Sequence, residues 1–151
     1  MAKFAEITVK SLDEINKFAT EAAYTDIGTA LASNGASSAT YGAHFKMGER
    51  DDKYLILVQN VCSTSGAADK EVCIKAGNGI QGINDLKKTD LGNGEYTFIQ
   101  IESGRFKNVK ENDTLKELSS ATAADQVSAK GRVFITGSSA DIKVTVFKLP
   151  C

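Results

Sequence analysis

Few residues in this chain have side chains suited to chemistry. One histidine, His44, and three cysteines, Cys62, Cys73 and Cys151, are the candidates for base, nucleophile or metal ligand. A catalytic triad needs a nucleophile, a base beside it and an acid to orient that base. His44 is followed by Phe45, has no acid at triad spacing, and no G-x-S-x-G elbow occurs anywhere in the chain. A structural zinc site takes four Cys or His ligands, and there is no C-x-x-C pair to start one. No catalytic residue, cofactor or metal is therefore expected. The cysteines read as three free thiols of a reducing compartment. The alternative is a Cys62–Cys73 bridge across a hairpin, formed after release into an oxidising medium.

One stretch imitates a cofactor site. Gly77-Asn78-Gly79-Ile80-Gln81-Gly82 fits G-x-G-x-x-G directly after a strand-like run, and Glu102 lies where a ribose-binding acid would be sought. Dinucleotide binding needs a full crossover helix after the glycines, because parallel strands are not joined by less. Ile83 to Leu91 is too short and too rich in Asn and Asp, and it ends at Gly92-Asn93-Gly94. The glycines read as tight turns instead.

The elements around these residues are mostly strands. Lys53 to Asn60 carries five consecutive apolar residues from Tyr54 to Val58, so it reads as a strand covered on both faces in the middle of a sheet. Glu71 to Ala76 alternates, with Val72, Ile74 and Ala76 inward, and suggests a hairpin partner for it. Glu95 to Ile101 is a further strand, which turns at Ser103-Gly104 and resumes. Arg132 to Thr136 and Asp141 to Leu149 flank a Gly137-Ser138-Ser139-Ala140 loop and read as the clearest hairpin of the chain. Lys110 to Lys130 reads as a polar surface excursion, with Asp113 capping a helical turn or two that carries Leu115 and Leu118.

The N-terminal part differs. Phe4 to Val9 alternates as a short strand or extended arm. Ser11-Leu12-Asp13-Glu14 fits a capping box, and Leu12, Ile15, Phe18, Ala19 and Ala22 follow at helical spacing, predicting a helix from about Leu12 to Tyr24. Gly28 to Gly42 has the Ala, Ser, Thr and Gly content of a linker. The expected organisation is an arm, helix and linker over 1–42 and a β-domain over 43–151. The fold class is all-β: an antiparallel β-sandwich or jelly-roll-like domain with a short N-terminal helix.

Charge narrows the partners. Eighteen basic residues are scattered among nineteen acidic ones, without the basic stripe that replaces phosphate counterions, so no nucleic-acid partner is expected. No apolar run approaches the roughly 20 residues of a membrane helix, so no membrane partner is expected either. The first residues do not read as a signal peptide, which predicts synthesis in a cytoplasm.

From Phe45 onward the order of segments resembles the head decoration (cement) proteins of tailed bacteriophages. The residues that carry it are Lys53 to Asn60, the turn Gly77-Asn78-Gly79 with Asn84-Asp85-Leu86, Glu102-Ser103-Gly104-Arg105-Phe106, and Gly131-Arg132-Val133-Phe134-Ile135 through Val144 to Pro150. The resemblance covers about two-thirds of the chain. It implies a non-enzymatic β-sandwich bound to the major capsid protein on the capsid exterior. A homo-oligomer is expected, with a trimer suited to the threefold positions of a shell. Lys110 to Lys130 departs from it as an insertion, and the N-terminal helix has no counterpart. The alternatives are a glycan- or host-binding β-module on the virion surface, disfavoured by the absence of Trp, and a tail-tube subunit. Phe4, Ile7 and Val9 in the arm, with Glu102 and Arg105 in the resembling stretch, are the candidate capsid or subunit contacts.

Overall fold

The structure is a computed structural model that describes residues 2–12, 28–48 and 53–149. Its strands in chain order are β1 (Ala5–Glu6), β2 (Lys10–Ser11), β3 (Thr29–Ala30), β4 (Ala32–Ser33), β5 (Tyr41–Lys46), β6 (Tyr54–Asn60), β7 (Lys70–Ile74), β8 (Leu86–Leu91) and β9 (Tyr96–Ile101). The helices α1 (Ser103–Phe106) and α2 (Asp113–Ser119) and a 3-10 turn at Ala123–Asp125 follow, and β10 (Arg132–Gly137) and β11 (Ile142–Lys148) close the chain.

Two sheets pack face to face as a sandwich. The first runs β1-β5-β10-β7-β8, with β4 also on β5, and the second runs β2-β11-β6-β9, with β3 also on β11. The long strands pair antiparallel; the parallel pairs are β1 on β5 and β2 on β11. Alternation decides which side chains meet between the sheets. Val133 and Ile135 of β10 and Ile142, Val144 and Val146 of β11 are fully buried, as are Ala43 and Phe45 of β5 and Ile56 of β6.

Several expectations change. β6 does lie inside its sheet, between β11 and β9. Only Tyr54, Ile56, Val58 and Asn60 are buried, however, whereas Leu55, Leu57 and Gln59 are half-buried. β6 and β7 belong to different sheets, so the Val61–Asp69 loop crosses over and is not a hairpin turn. The same holds for β10 and β11. The chain arches at Gly137–Asp141 from one sheet to the other, and each strand presents its apolar face to the shared core. Gly137 sits at that corner, where a Cβ would come within 2.6 Å of Leu31 and 3.0 Å of the Glu71 carbonyl oxygen. Cys73 is buried along with Val72 and Ile74, not turned outward. Cys73 and Cys62 are both free thiols.

The stretch read as a linker is part of both sheets. β3 pairs with β11 and β4 pairs with β5, and Leu31 between them is 1% exposed. A boundary between residues 42 and 43 would cut through β5. The arm likewise runs along the same two sheet edges, β1 on β5 and β2 on β11. Ser11, read as a helix cap, is in β2; the predicted helix beyond Leu12 lies outside the described residues.

The Lys110–Lys130 excursion is more than surface. Leu115 of α2 and Ala129 close a second apolar cluster with Phe4 and Phe134. Asn112, rather than Asp113, caps α2, its Oδ1 accepting from the Leu115 N–H at 3.2 Å. Glu111 fastens the far end, accepting from Ser128 Oγ at 2.6 Å and from the Ala129 N–H.

Candidate interaction surface

A loop of eleven residues connects β7 to β8. Its two ends are pinned by Asp85, which accepts from Lys75 Nζ at 2.5 Å and from the Ala76 N–H at 2.7 Å. Burial resists ionisation of Asp85, but these two donors outweigh it and hold the carboxyl below its ordinary range. The glycines of the false dinucleotide motif let backbones touch. A Cβ on Gly77 would lie 2.4 Å from the Lys107 carbonyl oxygen, and one on Gly82 would lie 1.9 Å from the Gly77 carbonyl oxygen. The Gly77 N–H donates to the Arg105 carbonyl at 2.9 Å, so the loop rests directly on α1. Asn78 uses its whole amide: Oδ1 accepts from the Val109 and Lys110 N–H groups, and Nδ2 donates to the Lys110 and Glu111 carbonyls.

On this braced frame sit aliphatic side chains in solvent. Ile80 is fully exposed, Ile83 is 77% exposed and Val109 is 50% exposed. Single exposed apolar residues are common on any protein. Three on one hydrogen-bonded loop assembly make a small apolar tip, which is a feature of docking sites. Among the described residues no cluster of His, Cys, Asp and Glu could hold a metal ion.

The sequence candidates separate into two places. Arg105 stands at the tip, donating from Nη2 to the Asn84 carbonyl at 3.3 Å with its guanidinium over the Phe106 ring. Glu102 is exposed just before α1 and makes no side-chain cap. The Glu102–Phe106 stretch is thus a helical turn and not a resuming strand. The arm residues lie elsewhere: in the first sheet, β5, β10 and β7 separate β1 from β8. Phe4 is 2% exposed, Ile7 is 4% exposed, and Val9 packs against the main core. Phe4 and Ile7 are buried in their own domain, and Val9 is partly buried there. Ile80 and Ile83 are not among the residues that the sequence pattern singles out. Their signal was two isoleucines inside a glycine turn, with no periodicity that could bury them.

His44 is buried at the arm. Its ring lies against Phe134, and Arg132 reaches both it and Glu6. These neighbours hold β1 on β5. Comparison of the chain with family models, with curated proteins and with solved structures gave no match.

Proposed function

We propose that this chain is a decoration protein of a tailed-bacteriophage head, bound as a homo-oligomer to the outside of the major capsid shell and without enzymatic activity. The observation that carries the reading is the tip: Ile80, Ile83 and Val109 exposed on a loop braced by Asp85, Asn78 and Arg105. A rigid apolar tip with a charged neighbour binds without first paying to be ordered. The segment resemblance and the sandwich fold agree with it. Charge near neutrality suits the capsid exterior better than the DNA-facing interior.

The test is to mix purified protein with undecorated heads and image where it lands. Density on the outer shell at regular capsid positions is expected. The double change Ile80→Asp with Ile83→Asp should abolish that density and leave the thermal melt unchanged. Rings or tubes formed by the protein alone would favour the tail-tube reading, and binding to a glycan array without binding to heads would favour the host-binding reading.

A further inference from the structure

The sandwich has four lateral edges, and three of them are protected against pairing with another chain. The β5 edge is covered by β1 and β4, and the β11 edge by β2 and β3. The β8 edge carries Lys87, Lys88 and Asp90, and its pairing with β7 is interrupted by a register shift between Lys70 and Val72. Charges, irregularities and covering segments are the usual defences of an edge strand. Among the described residues, the fourth edge, β9, has none of them. Tyr96-Thr97-Phe98-Ile99-Gln100-Ile101 contains no charge, no proline and no glycine, and Tyr96 and Phe98 are 68% and 67% exposed.

We propose that β9 pairs antiparallel with β9 of a second copy of this chain, about a two-fold axis at Phe98, joining two sheets into one. The hydrogen-bond parity of the edge fits this register. The Asn60 N–H donates to the Glu95 carbonyl at 2.9 Å, and the β6–β9 register runs on from that pair. Antiparallel bonds alternate in direction along a strand, so Tyr96, Phe98 and Gln100 turn their N–H and C=O groups away from β6. With Phe98 opposite its own copy, Tyr96 meets Gln100 of the second copy and Gln100 meets Tyr96. Each outward group then finds a partner, giving about six main-chain hydrogen bonds. Glu95 falls opposite Ile101, and Glu102 falls opposite Gly94, so no like charges face one another.

The side chains agree. Tyr96, Phe98 and Gln100 share the outer face of the sheet, and Phe98 stands beside its β6 partner Leu57. Tyr96 and Phe98 of the two copies, each worth 150–250 Å² when fully covered and about two-thirds exposed now, offer at most roughly 400–700 Å², of which pairing covers the flanks that face the second copy. Even with backbone added this is smaller than the roughly 1,200 Å² of stable interfaces, which predicts a weak dimer dissociating at concentrations on the order of micromolar or above.

Sedimentation of the purified chain across the micromolar range tests this. A monomer–dimer equilibrium is expected. Phe98→Lys sets two ammonium groups together at the axis and removes the aromatic contact, so the dissociation constant should rise by about 100-fold. Tyr96→Lys combined with Gln100→Glu sets an ammonium opposite a carboxylate on both sides of the axis and should keep the dimer. A wild-type chain that stays monomeric at every concentration overturns the proposal, as does a Phe98→Lys chain that dimerises like wild type. Loss of the dimer in the charge-paired double variant overturns the register. No capsid enters this experiment, so its failure is separate from failure of the decoration reading.

Discussion

Arg132 donates from Nη1 to Nδ1 of His44 at 3.2 Å, since a guanidinium has no acceptor, and so the imidazole carries its proton on Nε2. The same Arg132 Nη1 lies 3.0 Å from Oε1 of Glu6. One guanidinium on β10 therefore ties the arm strand β1 to the buried histidine of β5 across the register that sets Glu6 beside His44.

This arrangement predicts a pH dependence. Burial, then the Arg132 charge, with Lys3 adding to it and Glu6 opposing, lowers the His44 pKa from 6.5 to about 4. The unfolded chain thus takes up this proton before the folded one. Stability is fully present above pH 6.5 and declines as pH falls towards about 4, by roughly 3 kcal/mol from this group alone. Carboxylates held low by partners, Glu6 among them, add a further loss at still lower pH. Chemical unfolding of wild type and His44→Gln at a series of pH values is the measurement. The variant should lose about one proton's worth of slope between the two pKa values. Parallel curves would show that His44 is not buried neutral.

The arm is expected to be structural. Phe4 joins Phe134, Leu115 and Ala129 in the second cluster, and the Phe4 N–H donates to the Ser119 carbonyl at 2.9 Å. Phe4→Ala should cost about 3–4 kcal/mol and lower Tm by about 10 °C in a domain of this size. Ala2→Ser, at an exposed position beside it, should change Tm very little. A melt unchanged by Phe4→Ala would return the arm to the role of a free docking strand.

The thiols should differ in reactivity. Cys73 is buried, and desolvation, with Asp85 nearby, raises its thiol pKa, whereas Cys62 lies at a loop edge and is partly exposed. Iodoacetamide under native conditions should label Cys62 well before Cys73. Non-reducing mass spectrometry of fresh protein should show no Cys62–Cys73 bridge; a stoichiometric bridge contradicts the structure.

Much of the strand content was legible because alternation marks which side chains point to a core. Ile142, Val144 and Val146 fall at alternate positions of β11 and are fully buried. What alternation does not carry is the sheet to which a strand belongs. β10 and β11 look like a hairpin because each has one apolar face and a short polar loop joins them. An arch between two sheets around one core demands the same pattern. β8 was missed because Lys87 and Lys88 occupy an exposed edge that buries little. The Gly28–Gly42 stretch was missed because its short pairings are made by backbone, with small side chains, and Leu31 is its one large buried anchor. The interaction tip was half legible: Arg105 lay in the resembling stretch, but Ile80 and Ile83 were hidden by a glycine motif read for its turns.

If the tip docks on a shell, it should help hold in the packaged genome. Duplex DNA carries one negative charge per roughly 1.7 Å of axis, so confined strands repel and load the shell outward. A protein bound across neighbouring capsid subunits must be released before they part, and its binding free energy adds to theirs. An interface of about 1,600 Å² in total would suffice for specific attachment, and an oligomer engaging several subunits at once would multiply weak contacts. Filled heads should be heated bare, with wild-type protein, and with the Ile80→Asp, Ile83→Asp variant, while a dye reports exposed DNA. Release at a higher temperature is expected with wild type alone, and the variant should match bare heads. Both side chains are solvent-exposed, so the variant should melt like wild type when free, and a difference between the two on heads reports docking and not folding. Equal release temperatures at saturating wild-type occupancy would remove the stabilising role and leave surface adhesion as the reading that the exposed tip supports.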